Sequence, residues 1–143
     1  MKKHILVVDD EKYIVQMLSD AFEQEGMEVG TALNGEEALA YVRQNSVDLV
    51  ITDIMMPKLD GISLFYEMRK IDPFIQIIII TGYPSIQNIM EMLEAGASDF
   101  IIKPFDIAKL KQIVGENFSR IERWRSLRSE WLEHKKQQGR KPL

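Results

Sequence analysis

The sequence predicts a doubly wound α/β domain, on two observations. Short, almost wholly apolar runs at Ile5–Val8, Leu49–Thr52, Ile77–Ile80 and Phe100–Ile102 have the continuous character of parallel strands buried on both faces. Between them lie segments whose apolar residues recur at helical spacing, so that strand and helix alternate five times. Such alternation favours right-handed crossovers and a parallel sheet covered by helices on both faces.

The elements follow in order. After Ile5–Val8, the stripe Ile14, Met17, Leu18, Ala21 and Phe22 predicts the first helix. A weaker strand, Glu28–Ala32, precedes a helix marked by Ala38, Leu39 and Val42. Leu49–Thr52 leads to a partial stripe of Ile62, Phe65 and either Met68 or Arg69. Ile77–Ile80 is followed by Ile86, Ile89, Met90 and Leu93, and Phe100–Ile102 by Ile107, Leu110, Ile113 and Val114. No internal repeat or low-complexity segment interrupts the series.

Bulk properties narrow the function. A chain of 143 residues suffices for one domain with a full core plus an appendage. No stretch approaches the roughly 20 apolar residues of a membrane span, and the apolar run near the N-terminus stops at Asp9 and Asp10, unlike a signal-peptide core. A cytoplasmic protein is expected. The lack of cysteine excludes disulfides, thiolate metal sites and cysteine nucleophiles. The net charge of −4 hides a split: residues 1–115 hold 10 basic and 18 acidic residues, a net of −8, whereas residues 116–143 hold 8 and 4, a net of +4.

In this architecture ligands bind beyond the carboxyl ends of the strands, near the point where strand order reverses. The residues there are Asp9 and Asp10, then Asp53, then Thr81 and Gly82, then Lys103 and Pro104. Three like charges at one edge repel one another unless a cation intervenes. Oxygen ligands without His or Cys favour Mg²⁺, with Mn²⁺ as a substitute, and Mg²⁺ commonly binds a phosphate beside a few carboxylates. The cluster suggests metal-assisted phosphoryl chemistry. Asp53 would be the nucleophile, Lys103 and Thr81 would stabilise phosphoryl oxygens, and Gly82 would leave room for them. Taken singly, each residue has a plainer role: Asp9 or Asp10 as a helix cap, Thr81 as a turn residue, Lys103 as a surface amine, Phe100 as core.

Together, Leu6-Val-Val-Asp-Asp-Glu11, Asp53-Ile-Met-Met-Pro-Lys-Leu-Asp-Gly61, Thr81-Gly82, Gly96-Ala-Ser-Asp-Phe100 and Lys103-Pro-Phe105 resemble the receiver domain of two-component response regulators, over about residues 3–117. The resemblance implies a flavodoxin-like sheet in the order 2-1-3-4-5 and a phosphoacceptor role for Asp53, served by a sensor histidine kinase or phosphotransfer protein. It implies Mg²⁺ held by Asp9, Asp10, Asp53 and the Met55 carbonyl, phosphoryl contacts from Thr81 and Lys103, and a cis Lys103-Pro104 bond. Phe100 falls at the aromatic switch position, where the family often has Tyr. Met55 and Tyr83 fall where the family tunes dephosphorylation, and neither can position a water, which implies slow phosphoryl loss. The output would be a changed face of the fourth helix, fifth strand and fifth helix, which is also a surface for homodimerisation.

Two other readings are open to the same fold. A flavodoxin-like cofactor carrier needs phosphate-binding donors after the first strand, where Asp9, Asp10 and Glu11 would repel the ligand. A pseudo-receiver would serve as a phosphorylation-independent binding module. The expected division is a receiver at 1–117 and a basic helical extension at 118–143, frayed from Gln137 onward. Ile107, Leu110, Val114, Ile121, Trp124 and Trp131 form an imperfect heptad interrupted by Asn117 and Arg128. It suits a dimerising coiled coil, a signalling helix or a folded-back arm. Acids interspersed among its bases argue for a protein contact rather than DNA binding.

Overall fold

The computed structural model describes residues 2–56 and 59–139. Two compact units divide the chain, Met1–Ile107 and Ala108–Leu143. The first contains five parallel strands, β1 (His4–Val8), β2 (Glu28–Ala32), β3 (Leu49–Asp53), β4 (Gln76–Thr81) and β5 (Asp99–Ile102), in the order β2-β1-β3-β4-β5. Four helices connect them: α1 (Lys12–Gln24), α2 (Gly35–Gln44), α3 (Gly61–Ile71) and α4 (Ile86–Glu94). The chain then enters α5 (Ile107–Gln138), which makes up nearly all of the second unit.

The central strands are buried along their whole length, as their continuous apolar runs require. Alternate residues serve opposite faces. Leu6, Val8, Val50, Ile77 and Ile79 join one core with Leu39 and Val42 of α2, Phe65 and Met68 of α3, and Met92 of α4. Helix α1 packs on β1 and β2. Its buried residues are Val15, Leu18, Ser19 and Phe22, so its inward face is turned slightly from the predicted stripe, leaving Ile14 and Met17 half-buried.

Two expectations are corrected by burial. β5 is only half-buried because it pairs with β4 alone. On α4 the apolar stripe of Ile86, Met90 and Leu93 is exposed, and Met92 is the one fully buried residue of that helix. Helical period identifies an apolar side but not what it faces. In α5, Leu110, Val114, Asn117, Phe118 and Ile121 are buried, after which all described residues are exposed. The helix persists through Gln138; residues 140–143, the end of the expected frayed segment, lie outside the described residues.

The turns are built by local polar chemistry. Asn34 accepts the Glu37 N–H at 2.9 Å while the Glu37 carboxylate accepts the Leu33 N–H at 2.8 Å, a reciprocal start to α2. Asp60 caps α3 through the Ser63 N–H at 2.8 Å, and Ser85 caps α4 through the Asn88 N–H at 3.0 Å. Arg69 settles the ambiguity in the third stripe. Met68 is buried, whereas the Arg69 guanidinium lies over the Phe65 ring and donates to the carbonyls of Pro73, Ile75 and Gly96. It thereby ties the end of α3 to the start of β4 and the turn before β5.

Gly61 opens α3 where the chain passes close behind the end of β3. Its N–H donates to the Ile54 carbonyl at 2.9 Å, and a β-carbon there would collide with the backbone of Asp53 and Ile54. Gly61→Ala is expected to destabilise the fold by about 1–3 kcal/mol, the usual range for forcing extra volume into a packed site. The measurement is the urea midpoint, which should fall without a change in slope.

Candidate functional site: an acidic cluster at the carboxyl edge

Every strand of a parallel sheet ends at the same edge, and the order reverses between β1 and β3, whose chains depart in opposite directions. The cluster forms there. Asp9 and Asp10 follow β1 directly, and Asp53 closes β3, paired in register with Ile80. Lys103 follows β5 and is anchored by its own N–H to the Thr81 carbonyl at 2.8 Å. Its ammonium nitrogen reaches Asp9 Oδ2 and Asp53 Oδ2, each at 2.8 Å, and approaches Glu11 at 4.0 Å. Backbone amides hold the other oxygens: Glu11 N–H donates to Asp9 Oδ1 at 2.9 Å and Met55 N–H to Asp53 Oδ1 at 3.1 Å.

The plainer reading of Asp9 or Asp10 as a helix cap does not hold: Glu11 is the N-cap residue of α1 and no side chain caps it, whereas Asp9 holds the Glu11 N–H and joins the charged cluster. Asp9 and Asp53 are buried while Asp10 is exposed, and one oxygen from each carboxylate lies within 4.8 Å of the others. Burial raises the Asp9 pKa, and the hydrogen bond and charge of Lys103 only partly offset this. Burial also acts to lower the Lys103 pKa, but the hydrogen bonds to Asp53 and Asp9 and their charges outweigh it and push the value up to about 12. The lysine is thus a fixed cation at any physiological pH.

One lysine does not balance three carboxylates, with Glu11 nearby as a fourth. The remaining deficit, the oxygen-only donor set and the exposed Asp10 on the open side fit a hard divalent cation. The expected ligand Met55 follows Asp53 closely, with its side chain 57% exposed. Pro57 and Lys58, in the same loop, lie outside the described residues.

Thr81 is fully buried, and its hydroxyl oxygen accepts the Tyr83 N–H at 3.1 Å. Phe100 is half-buried against the core. Tyr83 is exposed, and the Lys103-Pro104 bond is cis. A β-carbon on Gly82 would make only ordinary contact with the Lys103 side chain, so packing within the chain does not demand glycine there. The position that does demand it is Gly61, against the Asp53 backbone. Its signal in the sequence is the capping pair Asp60-Gly61.

Fold and site together define a doubly wound α/β domain with a cluster of carboxylates, joined by a lysine, at the carboxyl edge of its sheet. The chain belongs to the response regulator receiver domain family, whose pattern matches residues 5–115. It is 37% identical over 117 residues to the chemotaxis protein CheY of Thermotoga maritima, covering 81% of this chain and 98% of that one. It is 41% identical to a probable transcriptional regulator, ycf27, of Cyanidium caldarium over 83% of this chain but only 47% of that protein. The chain thus spans about half the length of that relative, and about a quarter of the regulatory protein AtoC of Escherichia coli.

Among solved structures, a CheY-like receiver domain protein from Methanospirillum hungatei matches with a TM-score of 0.84 and 32% identity, over 86% of this chain and 98% of that one. The response regulator TrrA of Thermotoga maritima, solved in complex with Mg(2+)-BeF, matches with a TM-score of 0.72 and 37% identity, over 80% of this chain and 98% of that one.

The buried acid generates a pH prediction. Because Asp9 has a higher pKa folded than unfolded, its contribution favours the fold below the unfolded value near 3.8 and is lost as pH rises through the raised folded value. In chelator-treated protein, Asp9→Asn, which retains an acceptor for the Glu11 N–H, should therefore unfold at a higher temperature than the wild type at pH 7. The gap should close as pH falls through the native Asp9 pKa, measured by thermal unfolding across pH.

Proposed function

We propose that this chain is a phosphorylatable receiver that takes a phosphoryl group on Asp53 from a phosphohistidine of a sensor histidine kinase or phosphotransfer protein. The observation that carries this reading is the Asp53 carboxylate, held by Lys103 and by the Met55 N–H with Asp9 and Asp10 alongside. Asp9, Asp10, Asp53 and the Met55 carbonyl would hold Mg²⁺, with Mn²⁺ as a substitute; the bound ion would neutralise charge on the phosphoryl oxygens.

The chemistry of the protein's own residues follows. A carboxylate oxygen of Asp53 attacks phosphorus, the P–N bond breaks, and a histidine ring already protonated on its other nitrogen leaves as neutral imidazole. Lys103, with a pKa pushed up to about 12, transfers no proton; it serves as a fixed donor to the phosphoryl oxygens. The Thr81 hydroxyl, at the adjacent strand end, is the second donor. Hydrolysis of the acyl phosphate would be slow, since neither Met55 nor Tyr83 offers an acid or amide to position water.

The receiver would occupy residues 1–117, with 118–143 as its helical extension, acting in the cytoplasm as a switch that catalyses its own phosphorylation and dephosphorylation. Phe100 and Thr81 would move together, altering the face of α4, β5 and α5. That face, or the C-terminal helix, would serve a homodimer. The simultaneous presence of Asp9, Asp10, Asp53, Thr81 and Lys103 favours this over a phosphorylation-independent pseudo-receiver.

The test is intact-mass analysis after incubation with a small phosphodonor, with and without Mg²⁺. The wild type should gain one phosphoryl mass only with the metal, and Asp53→Asn should gain none. Absence of any gain in folded wild-type protein would overturn the proposal in favour of the pseudo-receiver.

A further inference from the structure

Helix α4 is held differently at its two ends. At its start the polar contacts are local: the Tyr83 N–H donates to the Thr81 hydroxyl oxygen at 3.1 Å, and Ser85 caps its own helix through the Asn88 N–H. Gly82 through Gln87 are all exposed there. At its end, Gly96 takes a φ of +103° and folds the backbone back. The Gly96 N–H then reaches the Leu93 carbonyl at 3.1 Å, and the Ala97 N–H the Met92 carbonyl at 2.9 Å. Met92, the one fully buried residue of α4, lies in this last turn. Just beyond it, the Ser98 N–H donates to the Ile77 carbonyl at 2.8 Å and the Ser98 hydroxyl to Gln76 Oε1 at 2.7 Å, so the turn is joined to β4.

Arg69 joins the same turn to α3. Its Nη2 donates to the Gly96 carbonyl at 2.7 Å while Nη1 donates to the carbonyls of Pro73 and Ile75, and the guanidinium carbon lies 5.1 Å from the centre of the Phe65 ring. Those acceptors come from two separate segments, the connection before β4 and the turn before β5. A planar fork with donors in fixed directions can serve both at once, whereas a lysine offers a single nitrogen. The exposed Tyr66 hydroxyl adds only a long contact to Glu91, at 3.5 Å.

We infer that Arg69 is a positioning residue of the switch: it makes the Gly96 turn a fixed pivot, so that α4 answers a change at Asp53 by rotating about its C-terminal end rather than by sliding along the sheet. The pivot rests on the function proposed for Asp53 as phosphoacceptor. At 1.5 Å per residue, Ile86 lies about 15 Å and Leu93 about 4.5 Å of helix from Gly96, so a rotation displaces the start of α4 about three times as far as its last turn. The pairing of β5 with β4, Ile78 opposite Asp99 and Ile79 opposite Phe100, stays intact.

The experiment is amide hydrogen exchange, read by mass spectrometry, on the full chain in Mg²⁺ with and without beryllium fluoride as a mimic of the phosphoryl group. Phosphoryl gain from a small phosphodonor is measured on the same samples. In the wild type the mimic should change exchange severalfold in residues 82–90 and leave residues 93–98 unchanged, a comparison that needs no variant. Arg69→Lys and Arg69→Met, verified as folded by circular dichroism, should gain phosphoryl mass as the wild type does, yet their response to the mimic should spread into residues 93–98. Asp60→Ala, which removes the cap of α3 without touching the fork, should keep the wild-type pattern. Faster exchange in the Arg69 variants that is the same with and without the mimic would mark a merely structural tie and overturn the pivot. So would a wild-type response that reaches residues 93–98, or phosphoryl gain without any change in residues 82–90. A wild type with neither phosphoryl gain nor any response to the mimic overturns the phosphoacceptor reading, and the pivot falls with it.

Discussion

The bond network of one ammonium group governs this structure. Lys103 lies 2.8 Å from carboxylates of Asp9 and Asp53, residues 94 and 50 positions away in the chain. Such a contact exists only if β1, β3 and β5 end at one edge, as all strands of this parallel sheet do, and if β1 lies directly beside β3, as the order β2-β1-β3-β4-β5 provides. The helical crossovers are the topological cost of that alignment. Burial makes the alignment matter: Asp9 and Asp53 lie out of water, where like charges repel strongly, and burial raises the Asp9 pKa even beside the lysine. The site is therefore held in tension by the fold and is incompletely neutralised by its own cation.

The supporting structure is unevenly rigid. Asp53 ends the middle strand of the sheet, with β1 and β4 on either side, the Met55 amide on one oxygen and the Gly61 turn pressed against its backbone. Few degrees of freedom remain for that carboxylate. On the other side of β4 the structure loosens: Gly82 through Ser85 are exposed, and α4 commits only Met92 fully to the core. Sparse burial of this kind marks segments that open at low free energy. Arg69 limits the looseness by fastening the far end of α4, at Gly96, to α3. The fixed carboxylate thus closes the strand paired with β4, whose own end leads through an exposed segment to a sparsely buried helix tied at its far end.

Much of this was legible in the sequence because buried parallel strands are continuous apolar runs and their interruptions are conspicuous. Asp9, Asp10, Asp53, Thr81 and Lys103 announced themselves as polar residues where such runs stop, and the strand order came with the family resemblance. What periodicity could not supply was direction. The stripe of Ile86, Met90 and Leu93 is as regular as that of Ala38, Leu39 and Val42, yet only the latter is buried, since a helical period specifies a side and not its neighbour. Met68 and Arg69 were indistinguishable as stripe members because an arginine stem packs as an alkyl chain, and only the acceptors at Pro73, Ile75 and Gly96 reveal its use. The close approach at Gly61 was not legible: it lies behind Asp53, between segments whose distance no local pattern encodes.

A switch at this edge would operate on the distribution of cations rather than on protonation. Lys103, with a pKa pushed up to about 12, keeps its charge throughout the accessible pH range. Converting the Asp53 carboxylate to an acyl phosphate replaces about one negative charge with nearly two and adds three acceptor oxygens. Lys103 cannot meet them all and still hold Asp9, so the new state has an unmet demand for donors that the old state lacks. The Thr81 hydroxyl, at the end of the neighbouring strand and at the root of the loosely held segment before α4, is the donor best placed to answer it. A segment with little buried area costs little to move, and the strongest new acceptor lies on the most rigid strand. Under the proposed phosphorylation, the free-energy difference would be generated at Asp53 and expressed at α4, because the same sheet holds one firmly and the other weakly.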